Sequence, residues 1–173
     1  MRMYSISKRY FHFILIAKDE IGYRGLKELS SIAWYNMYVD RRMERVPLLK
    51  TELADAMYKY KGHIIATSAC MGGELSTYAK LINDCNDIGD KESAEYYHSK
   101  IKEFLNYCVG LFGDDFYIEC APSAEQDQIS VNQVLGVIAK TYNIRMTVGT
   151  DSHYIDEKDR YVHTAYLNSK GGD

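Results

Sequence analysis

Asp151 and His153 form the local pattern that most directly predicts chemistry in this sequence. They flank Ser152 and follow residues 147–150, whose composition is typical of a buried strand. Side chains two positions apart on extended backbone project to the same side, so one carboxylate and one imidazole would face a common point. Such a pair offers an oxygen and a nitrogen ligand to a divalent cation such as Zn, Mn or Fe. A helix N-cap at Asp151 and a hydrogen-bonded loop histidine at His153 explain the pattern equally well.

His12 and Cys70 are two further candidate metal ligands. His12 lies in the apolar run of residues 10–17, and Cys70 lies in the small-residue loop of residues 68–73, directly after a predicted strand. Loops after strands are where α/β folds place their sites, and a cysteine thiolate in such a loop could bind a metal ion. Taken separately, each residue fits better as a core side chain, His12 as a hydrogen-bonded strand residue and Cys70 as a small buried one.

The remaining histidines and cysteines give weaker signals. His63 begins a predicted strand, His98 lies in a polar helix, and His163 lies near the site if the last helix folds over it. The other three cysteines are expected to be small buried hydrophobic residues, because none belongs to a CxxC pair. The sequence also contains no GxxxxGK, GxSxG or GxGxxG pattern, so nucleotide-cradling and serine-hydrolase functions lack support.

Composition predicts a soluble globular protein. The chain has 173 residues, of which 46% are hydrophobic and 26% charged, and its formal net charge is -3. That charge provides no overall basic field for binding nucleic acid through its phosphates. The first residues lack the apolar segment of a secretory signal, and the apolar run of residues 10–17 is too short to cross a bilayer. We therefore expect a cytoplasmic protein with reduced thiols and no membrane association.

Strand and helix patterns alternate along the chain. The strand candidates are residues 10–17, 63–67, 116–120 and 145–150. The helix candidates are residues 19–36, 51–57, 74–83, 91–109 and 126–142, and a last helix that begins at Asp156 or Asp159 and ends near Leu167. Residues 40–45 are a charged connector. This alternation predicts a mostly parallel α/β sheet or barrel. An eight-stranded barrel needs about 250 residues, so we expect an open sheet or an incomplete barrel.

Several runs, in their order along the chain, resemble the PHP domain (polymerase and histidinol phosphatase domain) of bacterial DNA polymerase III alpha subunits. The matching runs are residues 10–23, 29–31, 44–47, 66–74, 112–119 and 151–154, followed by Asp159 and His163. The resemblance implies a distorted (β/α)7 barrel with two or three metal ions at one end. It also implies phosphoester hydrolysis by metal-activated water, which in some polymerases is a 3′–5′ exonuclease activity. In other polymerases of the family, the site is degenerate and the role is structural.

The resemblance also assigns a ligand set. By position, His12, Cys70, Asp151 and His153 match metal ligands of the family. The family's first strand carries a His-x-His pair, and an Asp-His turn and a glutamate follow on later elements, yet none of these precedes His12. Residues 1–173 are therefore expected to be a single partial PHP domain, its C-terminal part, without the polymerase domains. A truncated, a split or a phage-type gene product would each explain this departure.

The departure predicts a site that is incomplete or inactive in this chain alone. The four matched residues could hold one ion if they converge, but not a multinuclear centre. A barrel without its first strands has an unpaired edge, which predicts self-association or pairing with the missing N-terminal PHP segment. DNA would be reached through a larger polymerase assembly. A non-catalytic structural or protein-binding module is the alternative function, and a small-molecule phosphatase of the histidinol-phosphate type is a further one.

Overall fold

The computed structural model describes residues 10–40, 43–150 and 152–170 of the 173-residue chain. The strands are β1 (Ile14–Ala17), β2 (Tyr38–Asp40), β3 (Met43–Arg45), β4 (Ile64–Thr67), β5 (Phe116–Cys120) and β6 (Met146–Val148). The helices are α1 (Glu20–Tyr35), α2 (Lys50–Tyr60), α3 (Glu74–Asp87), α4 (Lys91–Phe112), α5 (Gln126–Tyr142) and α6 (Arg160–Lys170). The predicted α/β alternation is confirmed.

The central sheet has four strands in the order β1-β4-β5-β6. Strands β4, β5 and β6 run parallel, and the helices between them form the crossover connections that parallel neighbours require. Strand β1 runs antiparallel to β4, with Ile14 opposite Thr67 and Ala17 opposite Ile64. In the described residues, β1 and β6 are the two ends of an open sheet, and the strands do not close into a barrel.

The first strand is shorter than the sequence predicts. Residues 10–17 form one apolar run, but only Ile14–Ala17 pairs continuously with β4. Strand β4 ends at Thr67, so the residues before Ile14 have no β4 partner beside them. The His12 N–H instead donates a 3.0 Å hydrogen bond to the Gly72 carbonyl, in a single parallel bridge to the loop after β4. His12 therefore lies outside the strand and against this loop.

Strands β2 and β3 form a hairpin where the sequence predicts a charged connector over residues 40–45. Tyr38 pairs with Arg45, and Val39 pairs with Glu44. The prediction of a connector was therefore wrong. Each strand has only three residues and mixes charged with apolar side chains, so the sequence lacks the alternation by which a strand is recognised. The Arg45 guanidinium lies 5.0 Å from the centroid of the Tyr10 ring, which joins the hairpin to the segment before β1.

Helix α1 begins as predicted at an Asp19 N-cap. The Asp19 carboxylate accepts a 2.9 Å hydrogen bond from the Gly22 N–H and lies 2.7 Å from Nδ1 of His63. These hydrogen bonds, that of Gly22 first, lower the pKa of Asp19. A Cβ on Gly22 would collide with the His63 carbonyl oxygen, so glycine allows α1 to approach the start of β4 closely.

The hydrophobic core fills one face of the sheet. Ile64, Ala66, Phe116 and Ile118 project to this face from β4 and β5, and each is at most 1% exposed. Buried residues of α3, α4 and α5 cover them, among them Leu75, Leu105 and Leu135. Burial of a large aliphatic or aromatic side chain contributes about 1.5–3 kcal/mol, so this layer fixes β4 and β5 beneath the helices.

The opposite face of the sheet carries a mixture of apolar and polar side chains. The strand registers place Ile14 and Ile16 of β1, Thr67 of β4, and Glu119 of β5 on this face. Ile14 and Ile16 are 38% and 49% exposed, because none of the described elements covers the β1 end. Thr67 and Glu119 are buried near the carboxyl ends of their strands.

The four cysteines are all free thiols. Cys85 and Cys108 are fully buried in the core, as predicted, and burial raises the pKa of both thiols. Cys120 is half-buried instead, because it ends β5 beside the edge strand β6. Within the described ranges, no helix has the length and apolar character needed to cross a membrane.

Candidate metal centre

The loop between β4 and α3 holds Cys70 in a tightly folded backbone. Ala69 has a positive φ of 60°, which is unfavourable for a residue with a Cβ. The Gly73 N–H donates a 2.8 Å hydrogen bond to the Cys70 carbonyl. A Cβ on Gly73 would collide with the Ser68 carbonyl oxygen, so this turn requires glycine. The small-residue composition of the loop therefore gives Cys70 a defined position at the end of β4.

His12 and Cys70 lie side by side at this loop. The Nδ1 atom of His12 is 3.4 Å from the Sγ atom of Cys70, and the Gly72 N–H donates to the same sulfur at 3.4 Å. A Cβ on Gly72 would lie 2.7 Å from His12 Nδ1, so the imidazole packs directly on this glycine. His12 is exposed and Cys70 is half-buried, so a small ligand could reach the pair. Imidazole nitrogen and thiolate sulfur are donors that suit Zn or Fe.

His153 lies in a different group of rings, beyond the end of β6. Its ring centroid is 5.0 Å from that of His163 on α6, and the Tyr154 ring is 5.6 Å from His163. The Tyr154 hydroxyl oxygen accepts a 3.5 Å hydrogen bond from Nε of Arg160. Helix α6 therefore brings His163 close to His153. The sequence had placed His163 near the site only on the condition that the last helix folds over it.

The predicted ligand set is only partly described by the structure. His12 and Cys70 are in contact, His153 neighbours His163, and Asp151 lies outside the described residues. In residues 10–40, 43–150 and 152–170, no three histidine, cysteine, aspartate or glutamate side chains are placed to hold one metal ion. The His12–Cys70 pair fits two positions of a Zn or Fe shell, and the full set of four stays a prediction. His63 is instead paired with Asp19, and His98 is exposed on α4.

Glu119 is a buried acidic residue that the sequence reasoning missed. It is 8% exposed at the end of β5, and its Oε2 accepts a 2.5 Å hydrogen bond from Thr67 Oγ1. Its backbone N–H donates to Ser68 Oγ at 2.9 Å. The sequence did contain a signal for this role, namely a single carboxylate within the otherwise apolar strand Phe116–Cys120. A carboxylate in a buried strand is stable only where polar groups can form hydrogen bonds with it.

A cavity of about 660 Å³ opens beside His12. Its walls include the aromatic rings of Phe13, Phe104 and Tyr107, and the ion pair of Lys50 with Glu74. Lys50 Nζ lies 2.7 Å from Glu74 Oε1 and 5.5 Å from the ring centroids of Phe104 and Tyr107. The cavity therefore combines apolar walls with one neutralised charge pair next to the His12–Cys70 contact.

Comparison with known proteins identifies the family of this chain. The PHP domain family matches residues 1–123, which is more than half of the chain. The chain belongs to the PHP domain family. The mixed α/β sheet of the described residues agrees with that assignment.

The similar proteins are much longer polymerases. The chain is 40% identical over 166 residues to the probable DNA polymerase YorL of Bacillus subtilis, covering 95% of this chain and 13% of that protein. It is 32% identical over 164 residues to the DNA polymerase III subunit alpha of Aquifex aeolicus, covering 94% of this chain and 12% of that protein. The alpha subunit of Thermus aquaticus is 29% identical over 158 residues, with 91% and 11% covered. The chain thus spans about an eighth of the length of these relatives.

Proposed function

We propose that this chain is part of the PHP domain of a DNA polymerase III alpha-like protein and contributes ligands to a metal-dependent phosphoesterase site. The observation that carries the proposal is the 3.4 Å contact between His12 Nδ1 and Cys70 Sγ in a chain of this family. His12, Cys70, Asp151 and His153 would hold a divalent ion, Zn, Mn or Fe. When bound, such an ion lowers the pKa of a water molecule for attack on a phosphodiester.

The residues of the chain would supply orientation and access at this site. The Gly72 carbonyl fixes the backbone at His12, and the folded loop fixes Cys70. The neighbouring cavity of about 660 Å³ provides room and apolar walls for a substrate beside the ligand pair. A 3′–5′ exonuclease-type reaction would use this space for the end of a DNA strand, delivered by a larger polymerase assembly, since the chain's net charge is -3.

The site is proposed to be incomplete in the isolated chain and to be completed by further strands. Among the residues that the structure describes, β1 has an open edge, and such strands would cover this edge and the exposed Ile14 and Ile16. A second copy of the chain or an N-terminal PHP segment could supply them and extend the sheet toward a distorted (β/α)7 barrel. Residues 1–173 would then act as one partial PHP domain.

A non-catalytic structural or protein-binding module is the second candidate function. The observation that favours it is the exposure of Ile14 and Ile16 on β1, which offers an apolar surface to a protein partner. A small-molecule phosphatase of the histidinol-phosphate type shares the family but is less favoured, because the matched relatives are DNA polymerases.

Metal content is the experiment that separates these functions. The purified chain would be loaded with Zn, Mn or Fe, dialysed and measured for bound metal beside the His12→Ala, Cys70→Ser, Asp151→Ala and His153→Ala variants. His98→Ala, which changes an exposed histidine on α4, is the matched control. Stoichiometric metal in the parent and control that is lost in the ligand variants supports the site. A parent without metal overturns it and leaves the structural module.

The substrate class needs a second measurement on the metal-loaded chain. Hydrolysis of a single-stranded oligonucleotide and of a phosphate monoester would be compared in the same buffer. Cleavage of the oligonucleotide alone supports the polymerase-type phosphodiesterase, whereas cleavage of the monoester alone supports the small-molecule phosphatase. A metal-loaded chain that cleaves neither substrate contradicts activity of the isolated chain.

A further inference from the structure

Glu119 joins the ends of two neighbouring strands. Its carboxylate accepts the 2.5 Å hydrogen bond from the hydroxyl of Thr67, which is the last residue of β4. Hydrogen bonds from a hydroxyl to an ionised carboxylate are shorter and stronger than those between neutral groups. Both residues are buried, with exposures of 8% and 5%, so water competes little for this bond. The bond therefore ties the end of β5 to the end of β4.

The same contacts continue into the loop that carries Cys70. Thr67 Oγ1 accepts a 3.2 Å hydrogen bond from the Ala69 N–H, and Ser68 Oγ accepts one from the Glu119 N–H. Ala69 adopts a left-handed conformation, which persists only where surrounding contacts determine it. Cys70 is the next residue. The position of its sulfur thus depends on a chain of hydrogen bonds that begins at Glu119.

The carboxylate of Glu119 also packs against the backbone that leads toward Asp151. A Cβ on Gly149 would collide with Glu119 Oε1, so the absence of a side chain there makes space for the carboxylate. The Gly149 N–H donates a 2.9 Å hydrogen bond to the Cys120 carbonyl, which extends the pairing of β5 with β6. Glu119 is therefore in contact with both segments that precede candidate ligands.

We propose that Glu119 is a positioning residue that sets the Cys70 loop against the segment leading from β6 to Asp151 and His153. It acts through Thr67 and Gly149 and is not itself a ligand in this proposal. The inference deepens the proposed function and rests on it, because the groups that it positions are the candidate ligands. From the sequence alone, neither Thr67 nor Gly149 was predicted to have a role at the site.

The first test measures Cys70 without any metal. The rate of Cys70 alkylation by iodoacetamide would be followed by peptide mass mapping in the full chain and in Glu119→Gln and Thr67→Val. Loosening of the loop is expected to raise the rate about fivefold in Glu119→Gln, the factor for losing roughly one hydrogen bond. Thr67→Val should raise the rate at least as much, because it also removes the hydrogen bond from the Ala69 N–H. Thr67→Ser, which keeps the hydroxyl, and Glu95→Gln, on the exposed side of α4, should retain the parent rate.

The variants also contain an internal control for folding. Cys85 and Cys108 are fully buried, so they should stay unmodified wherever the core is intact. The double variant Glu119→Gln, Thr67→Val should show about the same rate as Thr67→Val, because that single change already removes the hydrogen bond to Glu119. Parent-like Cys70 rates in Glu119→Gln and Thr67→Val, with Cys85 and Cys108 protected, would overturn the proposal. The proposal would also be overturned if the two changes raise the Cys70 rate by independent factors that multiply in the double variant.

The second test uses Co²⁺ as a spectroscopic probe of the site. In the parent chain, the sulfur-to-cobalt charge-transfer absorption reports the Cys70 ligand. Glu119→Gln should weaken Co²⁺ binding about fivefold and alter this absorption, whereas a merely structural role would lower the melting temperature and leave both unchanged. A parent that binds no Co²⁺ contradicts the metal site, while the alkylation rates still decide whether Glu119 positions the loop.

Discussion

The Nδ1 atom of His12 lies 3.4 Å from the Sγ atom of Cys70, although 58 residues separate them in the sequence. Their approach depends on one glycine, because Gly72 accepts the His12 N–H at its carbonyl and leaves room for the imidazole ring. A nitrogen and a sulfur donor are thereby brought together at the end of β4. From the sequence, each of the two residues taken separately was interpreted as a packed core side chain.

Substitution of Gly72 by alanine should separate the two donors. The new Cβ would lie 2.7 Å from His12 Nδ1, and the exposed imidazole can move away more easily than the backbone can. We expect metal affinity to fall about tenfold, as for other changes in groups that hold a ligand. The free energy of unfolding should change by less than about 1 kcal/mol. Titration with metal and urea denaturation would measure the two effects.

Gly110→Ala is the matched control for that substitution. Gly110 lies in α4, and a Cβ there would meet no atom within 4 Å. This variant should keep the parent metal affinity and gain up to about 1 kcal/mol of stability, because alanine favours helix more than glycine does. Equal metal affinities in Gly72→Ala and Gly110→Ala would contradict the assigned role of the His12–Cys70 contact.

The buried side chains of α5 should contribute much more to the free energy of unfolding than its exposed ones do. Leu135 is completely buried, and Leu135→Ala is expected to lower the free energy of unfolding by about 2–5 kcal/mol through lost contacts and a cavity. Val137 is 67% exposed on the same helix, so Val137→Ala should change it by less than about 0.5 kcal/mol. Urea unfolding of both variants, followed by circular dichroism, makes the comparison. Similar losses would show that α5 does not pack as described.

The Asp19 N-cap should make stability depend on pH in the acid range. Hydrogen bonds from the Gly22 N–H and from His63 hold the pKa of Asp19 below its ordinary value. A carboxylate with a lowered pKa in the folded state contributes its stabilisation fully above its unfolded pKa and loses it as pH falls through the folded one. Asp19→Ala should therefore melt at a lower temperature than the parent at pH 7. The difference in melting temperature between the two should become smaller below pH ~4.

Melting temperatures measured from pH 7 to about pH 3 test this prediction. Asp55→Ala removes an exposed carboxylate from the middle of α2 and serves as the control for a simple change of charge. A gap between the parent and Asp19→Ala that stays constant or widens on acidification would be evidence against the capping interaction.

The four thiols should differ sharply in reactivity. Burial raises the pKa of Cys85 and Cys108, and reagents cannot reach either side chain in the folded chain. Cys70 and Cys120 are half-buried. Alkylation in native buffer should label Cys70 and Cys120 first, and Cys85 and Cys108 only after urea is added. Early labelling of Cys108 would indicate that the core opens readily.

Local periodicity let the sequence predict most of the helical architecture. Helix α5 was predicted over residues 126–142 and is observed as Gln126–Tyr142, and the predicted Asp19 cap precedes α1. These features depend on neighbours within a few positions, because helical burial repeats with the helix turn and capping bonds span about three residues. The PHP resemblance was also readable from the order of short runs, and the family match confirms it.

Only the tertiary structure decided the direction of β1, the β2–β3 hairpin and the polar partners of Glu119. The antiparallel pairing of Ile14 with Thr67 and the bond from Thr67 to Glu119 join residues more than fifty positions apart. No local pattern encodes such pairings, since they arise when the core helices fix β4 and β5 side by side. The sequence by itself therefore determined the family and its candidate ligands. The folded sheet decided that His12 meets Cys70 and that Glu119 joins the two strand ends.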